Sequence, residues 1–183
     1  MEVENTIWKA TLESFQGKIL GGDSITGGVA VAAVSGAFAV SVLQMVLEIA
    51  VRKTESARIR QLIEEARTES ARLAQLADED REAYAAYREA ARLPKASEEE
   101  RAVRRRAMAR ALCRATETPL AAVRSAVSAI GLCVETAGLV EGQIAADVGG
   151  AAALLAGAAR AILHSVEANL RAQLRGLSSL SPK

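Results

Sequence analysis

Hydrophobic and polar residues divide this chain into helical segments, two of which carry almost no charge. The segment 27–47 (GGVAVAAVSGAFAVSVLQMVL) has no charged residue, and the segment 147–163 (DVGGAAALLAGAARAIL) is equally rich in Ala and Gly but begins with an acid, Asp147. A helix that is apolar on all sides is typical of a buried position. Both segments are therefore predicted to be helices that pack closely against other helices.

The neighbouring segments have the spacing of amphipathic helices. Apolar residues share one face of a first helix over 6–15, which Gly17 is expected to end. A long helix is predicted over 54–91, with Glu/Arg pairs on its solvated face. Pro94 is expected to stop that helix, because the residue before a proline avoids the α-helical conformation.

The second half of the chain contains clear signals for helix ends. Ser97 and Glu100 have the spacing of a capping box, which begins a helix that is predicted to run to about residue 117. Thr118 followed by Pro119 is typical of an N-cap with proline at the first helical position, so a separate helix is predicted over 119–137. A glycine-containing loop then precedes a final helix over 146–174.

The amino-acid composition supports an all-helical fold. Hydrophobic residues make up 50% of the 183 positions, but only 3% are aromatic and there are 3 prolines, which favours helices over strands. The chain is thus predicted to be one all-α domain over residues 1–183, a bundle of about six helices. Residues 1–5 and 176–183 are expected to be frayed ends.

Charge and cysteine usage narrow the function classes. The formal net charge of +1 gives no general attraction to nucleic acid, so no nucleic-acid partner is expected. The first residues lack the pattern of a signal peptide. Cys113 and Cys133 lie in helical contexts and are expected to be free thiols in a reducing compartment, which favours a cytoplasmic location.

A membrane span is the alternative interpretation of the segment 27–47. Its length is close to the roughly 20 residues that a span needs. Its apolar residues are mainly Ala and Val, however, and it lacks the aromatic residues that commonly flank a span. A buried helix is favoured, and no membrane partner is expected.

Few residues indicate chemistry by themselves. Gly27 and Gly28 open a helix whose first N–H groups suit an anionic group, although close packing explains two glycines equally well. Asp147 is either an N-terminal helix cap or an acid whose pKa a low-dielectric site can shift. His164 is the only imidazole and Lys95 follows a rigid proline corner, but each is also typical of an ordinary surface residue. No metal-binding spacing is present.

Several runs of residues resemble one family. The run 76–95 (LADEDREAYAAYREAARLPK) contains Asp80, Ala83 and Tyr84 and ends in Leu-Pro-Lys at Lys95. It is similar to the Asp-x-x-Ala-aromatic segment and Leu-Pro-Lys of the cyclodeaminase/cyclohydrolase family of folate one-carbon enzymes. That family includes the cyclodeaminase part of formiminotransferase-cyclodeaminase and the methenyltetrahydrofolate cyclohydrolases.

Two further runs extend this resemblance over most of the chain. Residues 24–33 (SITGGVAVAA) resemble the glycine-rich stretch of the family, and residues 146–152 (ADVGGAA) resemble its Ser-Asp-x-Gly-x-Ala-Ala. Asn169 followed by Leu170 matches the Asn-Leu of the family. The resemblance implies an all-helical subunit that forms a homodimer and binds a tetrahydrofolate derivative without a metal.

The resemblance also implies a folate site lined by the glycine-rich loop, the start of the Asp-bearing helix and the Leu-Pro-Lys corner. Asp147 is the expected acid/base carboxylate, Lys95 is an expected partner for anionic parts of the folate, and His164 is a candidate base. The residues expected to bind folate are Thr26, Gly27, Gly28, Asp80, Tyr87 and Asn169.

This chain departs from the family pattern inside the expected pocket. Ser24 and Thr26 replace two prolines, Val29 replaces the third glycine, and Ala30 and Ala146 replace serines. A β-branched side chain at Val29 is expected to reshape the space beside the ligand. The residue in the loop before Asp147 also differs, since Gly142 stands where the family has Asn.

Three functions follow from these observations. The resemblance implies an enzyme acting on a tetrahydrofolate-bound methenyl, methylene or formimino carbon, of the cyclohydrolase or cyclodeaminase type. The altered pocket leaves open a repurposed relative that passes this carbon to another nucleophile in a Mannich-type reaction. A non-catalytic helical dimer that binds folate is the third alternative.

Overall fold

A computed structural model describes residues 6–22 and 26–178. It contains one 3₁₀-helix, Ile7–Lys9, and five α-helices. The α-helices are α1 (Leu12–Leu20), α2 (Gly28–Lys53), α3 (Ala57–Arg92), α4 (Glu98–Ala137) and α5 (Ile144–Ser178). No strand occurs in these residues, which confirms the all-α prediction. Ser24, Ile25, the expected frayed end 1–5 and residues 179–183 of the expected frayed end 176–183 lie outside the described residues, whereas residues 176–178 belong to α5.

The four long helices form an up-and-down bundle. Around the bundle, α2 packs against α3, α3 against α4, α4 against α5, and α5 against α2. Large aliphatic side chains fill the centre, among them Leu43, Leu62, Leu73, Leu155 and Ile162. The two segments with almost no charge lie in α2 and α5. The predicted burial is observed for α2, whereas much of α5 is exposed.

Gly36 lies where α2 contacts both α3 and α5. A Cβ added at Gly36 would lie 3.4 Å from Cδ1 of Leu73 in α3 and 3.8 Å from Cβ of Ala158 in α5. These are ordinary van der Waals distances, so an alanine fits here, whereas the further atoms of a larger side chain would overlap Leu73 and Ala158. The small residues of α2 thus bring three helices together at mid-bundle.

The beginning of the chain is fastened to α3. The Thr6 hydroxyl and the Ile7 backbone N–H both donate to the carboxylate of Asp78, the latter at 2.9 Å. Trp8 donates from Nε1 to the Ala74 carbonyl at 3.0 Å, and its ring meets that of Phe38 edge-on with centroids 5.7 Å apart. These contacts hold the 3₁₀-helix across α2 and α3.

The helix signals around Pro94 are confirmed. Helix α3 ends at Arg92, and Leu93 has an extended ψ of 147°. Ser97 and Glu100 form the capping box: Glu100 N–H donates to Ser97 Oγ at 3.1 Å, and Ser97 N–H donates to the Glu100 carboxylate at 3.2 Å. The bundle therefore turns between α3 and α4 where the sequence indicated.

The predicted helix boundary at Thr118 and Pro119 is wrong, because α4 continues through the proline. A proline inside a helix leaves the carbonyl four residues earlier without its N–H donor. That carbonyl belongs to Ala115, and the side-chain amide of Asn169 donates to it at 2.7 Å. A residue of α5 thus replaces the missing donor, and four long helices form where five were expected.

The first predicted helix is also placed differently. The segment begins as the 3₁₀-helix Ile7–Lys9, and α1 starts only at Leu12. Thr11 caps α1, since its hydroxyl accepts from Ser14 N–H at 3.1 Å. Gly17 lies within α1 and does not end it.

Three of the described helices are long and apolar enough to cross a membrane by length and composition: α2, α4 and the part of α5 from Ile144 to Leu174. In the most apolar window of α2, 61% of the residues are buried inside the bundle, against 33% in α5. Burial accounts for most of the apolar character of α2 but leaves much of α5 uncovered. The absence of a membrane partner stays a prediction.

Candidate active site

A cavity of about 360 Å³ lies beside the start of α2, where α3, α4 and α5 extend past it. It is within the range of roughly 300–1,000 Å³ typical of small-molecule sites. Its lining comes from all four long helices and consists of Gly27, Gly28, Val29, Asp80, Tyr84, Tyr87, Leu112, Ala115, Ser165, Ala168, Asn169 and Ala172.

The first wall of the cavity is the N-terminus of α2. Gly27 is the N-cap residue, has an extended backbone and provides no side-chain cap. An added Cβ at Gly27 or Gly28 would meet no atom within 4 Å, so neither glycine is required by packing within the described chain. The first N–H groups of α2 and the helix dipole make this wall suitable for an oxygen atom or an anionic group of a ligand.

The second wall is one face of α3. Asp80, Tyr84 and Tyr87 have the i, i+4, i+7 spacing that places side chains on the same side of a helix. Burial raises the pKa of the Asp80 carboxyl to about 6, because the charged form loses part of its hydration. Near neutral pH this carboxyl exchanges a proton readily, and both tyrosine rings lie in the same lining.

The remaining walls are largely apolar and come from α4 and α5. Asn169 is held by its 2.7 Å hydrogen bond to the Ala115 carbonyl. One turn further, Gln173 donates to the Thr116 hydroxyl at 2.8 Å and to the Leu112 carbonyl at 3.3 Å. These bonds join the two helices around Pro119, so the far wall of the cavity has a defined shape.

This arrangement suits a flat ligand that carries positive charge near a carboxylate. Aromatic faces attract cations and planar rings, and a carboxyl of shifted pKa acts as a general acid or base. Among the described residues, no group of three or more His, Cys, Asp or Glu side chains is placed to hold a metal ion.

Comparison with known proteins identifies the family. The family model described as formiminotransferase-cyclodeaminase matches residues 11–173. This chain belongs to the formiminotransferase-cyclodeaminase family. The resemblance found in the sequence is thereby confirmed, and the match spans the N-terminal helix, the cavity and most of α5.

A solved structure of a formiminotetrahydrofolate cyclodeaminase from Thermotoga maritima is similar in fold. The TM-score is 0.78 at 22% sequence identity, and the match covers 94% of this chain and 89% of the other. At this identity the likeness establishes the shared helical fold. No curated protein matches the chain.

The structure places five of the expected folate-binding residues around this cavity: Gly27, Gly28, Asp80, Tyr87 and Asn169. Thr26, the sixth, is buried immediately before Gly27. The glycine-rich and Asp-x-x-Ala-aromatic motifs of the family therefore meet in space, although about 50 residues separate them in the chain.

The three expected catalytic residues are not brought to this cavity. Asp147, Lys95 and His164 are all exposed, and none lines it. Asp147 lies in the first turn of α5, and about 27 Å of helix separates it from Ser165. The reason is topological: α5 runs antiparallel to α2, so the start of α5 and the start of α2 are at opposite ends of the bundle.

Several lining residues were not among the expected site residues. Tyr84 is on the same helix face as Asp80 and Tyr87, and their spacing was a usable signal. Val29, where the sequence departs from the family pattern, lines the cavity, and so does Ser165. The alanines and Leu112 had no distinguishing signal, since small apolar residues occur throughout these helices.

Proposed function

We propose that this protein acts on a one-carbon unit carried by tetrahydrofolate, as a methenyltetrahydrofolate cyclohydrolase or a formiminotetrahydrofolate cyclodeaminase. Membership of the formiminotransferase-cyclodeaminase family supports the folate-related class. The observation that carries the proposal is the half-buried carboxyl of Asp80, with its raised pKa, in a cavity lined by two tyrosines and a helix N-terminus.

In the cyclohydrolase reaction, Asp80 acts on a cationic substrate. The methenyl carbon is part of an amidinium, whose positive charge stabilises the ionised form of Asp80 across a short distance. Water forms a bond to this carbon while Asp80 takes the proton that the water loses. One carbon–nitrogen bond then breaks: Asp80 returns its proton to the released nitrogen, the added hydroxyl loses its own proton to solvent, and a formyl group stays on the other nitrogen.

In the cyclodeaminase reaction, the Asp80 carboxyl donates a proton instead of accepting one. A second folate nitrogen attacks the formimino carbon and passes its proton to the formimino nitrogen, and ammonia leaves once that nitrogen has received one further proton. Asp80 is the proton donor for this step, because a pKa of about 6 keeps a useful fraction of the carboxyl protonated near neutral pH. Tyr84 and Tyr87 provide flat surfaces for the folate ring, and the first N–H groups of α2 bind its oxygen atoms.

The test uses purified protein with both substrates. With methenyltetrahydrofolate, the near-UV absorbance should fall faster than in buffer; with formiminotetrahydrofolate, ammonia should be released. Asp80→Asn should lower either rate by roughly 100-fold or more, since general acid–base catalysis contributes about that much. Glu79→Gln, the neighbouring carboxylate outside the cavity lining, is the matched control and should retain the rate.

A second function is favoured by Val29, which is buried and lines the cavity in place of a family glycine. In this alternative the chain transfers the activated carbon to an amine or carbon nucleophile instead of water. Two results together support this alternative. The protein binds folate without hydrolysing it, and mass spectrometry detects an adduct when methylenetetrahydrofolate and a mixture of amines are supplied. Binding with neither product indicates the non-catalytic folate binder. Absence of both binding and turnover contradicts all three.

A further inference from the structure

Helix α1 lies on the outside of the bundle and buries none of its residues. Two large apolar side chains, Ile19 and Leu20, are neighbours at its last turn, and we call them the α1 tip. Leu20 is 80% exposed and Ile19 is 37% exposed. Within the described chain the tip therefore keeps most of its apolar surface in contact with water.

The side chain of Phe15 holds the middle of α1 to the bundle. It packs, half-buried, against a small cluster that is separate from the main core. The buried members of this cluster are Ile7, Ala30, Ala33, Val34 and Ala77. Because the α1 tip belongs to neither cluster, α1 is attached through its centre and its last turn is not.

The path of the chain shows where the α1 tip points. The 3₁₀-helix before α1 is bound at Asp78, and the chain after α1 returns to Gly27 at the cavity, so α1 runs towards the start of α2. On α3, Tyr84 follows the cluster residue Ala77 by seven residues and lies on the same side of that helix, two turns nearer the cavity. The α1 tip and Tyr84 are thus the next apolar groups beyond the cluster on their two helices.

The connections of α1 allow it to move as a unit. Before it, Ala10 and Thr11 have extended backbones outside any helix. After it, Gly21 is the C-cap residue and Gly22 has a φ of 73°, a conformation that favours glycine. A Cβ added at Gly22 would meet no atom within 4 Å, so no packing fixes this turn.

The segments beyond these connections are fixed. Ile7 donates to the Asp78 carboxylate and Trp8 to the Ala74 carbonyl, at 2.9 and 3.0 Å. At the other side Thr26 is buried, with 4% of its surface exposed. A short helix between two anchored segments can turn about Phe15 without unfolding either anchor.

We propose that α1 is a lid, and that its tip folds onto Tyr84 and closes the cavity when a ligand is bound. Tyr84 lines the cavity and is 38% exposed, so its ring offers an apolar surface that the bundle does not cover. Closure buries the ring together with Ile19 and Leu20, and it keeps bulk water from the ligand. That this ligand is a folate rests on the function proposed above.

Disulfide crosslinking tests the lid without any ligand or activity. The background is Cys113→Ser, which removes the exposed thiol. Leu20→Cys combined with Tyr84→Cys should form an intramolecular disulfide on mild oxidation, because closure brings the two Cα atoms within about 7 Å. Leu12→Cys combined with Tyr84→Cys is the matched control, since Leu12 is at the other end of α1. A Leu20–Tyr84 pair that crosslinks no faster than this control overturns the proposal.

Limited proteolysis tests whether a ligand closes the lid. Lysyl endopeptidase can cleave after Lys18 in α1 and after Lys53 at the far end of α2, and both residues are exposed. Saturation with 5-formyltetrahydrofolate, a stable folate, should slow cleavage after Lys18 by about fivefold or more and leave cleavage after Lys53 unchanged. Equal slowing at both sites indicates general stabilisation and contradicts the lid. If calorimetry detects no folate binding, the proposed function fails and the crosslinks still decide the lid.

Substitution of the tip tests its contact with the bound state. Leu20→Ser should raise the Kd of 5-formyltetrahydrofolate by about tenfold, since closure no longer buries a leucine. The melting temperature of the free protein should not change, because Leu20 is exposed there. Leu12→Ser, at a residue that is 71% exposed on the same helix, should retain the wild-type Kd. A wild-type Kd in Leu20→Ser is the result that refutes closure by the α1 tip.

Discussion

The side-chain amide of Asn169 donates a 2.7 Å hydrogen bond to the backbone carbonyl of Ala115, the acceptor left by Pro119. Asn169 and Ala115 both line the cavity, so the bond that allows α4 to continue through Pro119 also shapes the candidate site. Asn169 therefore has a structural task in addition to any contact with a ligand.

Asn169→Ala should destabilise the fold by about 1–3 kcal/mol, because it leaves the buried Ala115 carbonyl without a donor. Urea unfolding measures the change. The matched test is the Pro119→Ala background, which restores a backbone N–H to that carbonyl. There the Asn169→Ala loss should be clearly smaller, and equal losses in both backgrounds would contradict the relationship.

The pH dependence of stability should report the carboxyl of Asp80. Its pKa is about 6 in the folded protein and near 3.8 when unfolded, so the folded state holds the proton more tightly. Stability from this group is fully present below pH 3.8 and is lost as the pH rises through about 6. Asp80→Asn should remove this decline and be more stable than wild type at pH 7.5 by about 2 kcal/mol, while losing turnover.

Two glycines of α2 should respond differently to substitution by leucine. Gly28→Leu should weaken folate binding at least tenfold with little change in melting temperature, because its Cβ meets no atom but lies in the cavity lining. Gly36→Leu should lower the melting temperature strongly, since Leu73 and Ala158 already occupy that space. Arg105→Ala on the exposed face of α4 is the control for both, and identical behaviour of the two glycine variants would refute this distinction.

The two cysteines should differ in reactivity. Cys113 is exposed, whereas Cys133 is buried and burial raises the pKa of its thiol to about 11. At pH 8 a thiol reagent should label Cys113 alone in the folded protein and both residues after unfolding. Cys113→Ser should abolish labelling of the folded protein. Rapid labelling of Cys133 under native conditions would indicate that the bundle core opens.

Local signals predicted the helices well and their relations to each other less well. The capping box at Ser97 and Glu100 and the stop before Pro94 depend on neighbouring residues, so the sequence contains everything that decides them. The continuity of α4 through Pro119 depends on Asn169, which is 50 residues later in the chain and becomes a neighbour only after α4 and α5 have packed.

In the candidate site, too, the features decided by neighbouring residues were predicted and those decided by helix packing were not. Asp80 and the glycines at the start of α2 were expected to share one site, and they line one cavity; their binding of folate stays a prediction. The distance of Asp147 from them was not foreseen, since a motif does not state at which end of a bundle its helix begins.

Trp8, which packs against Phe38 and donates to the Ala74 carbonyl, is an intrinsic fluorescent probe of the protein. Trp8 is the only tryptophan of the chain, so its fluorescence comes from one known position. The carboxylate of Asp78, which fastens that segment, stands two residues from Asp80 on the other side of α3. A shift of the Trp8 emission while a folate is titrated would therefore show, without an added label, that binding at the cavity changes the structure on the opposite side of α3.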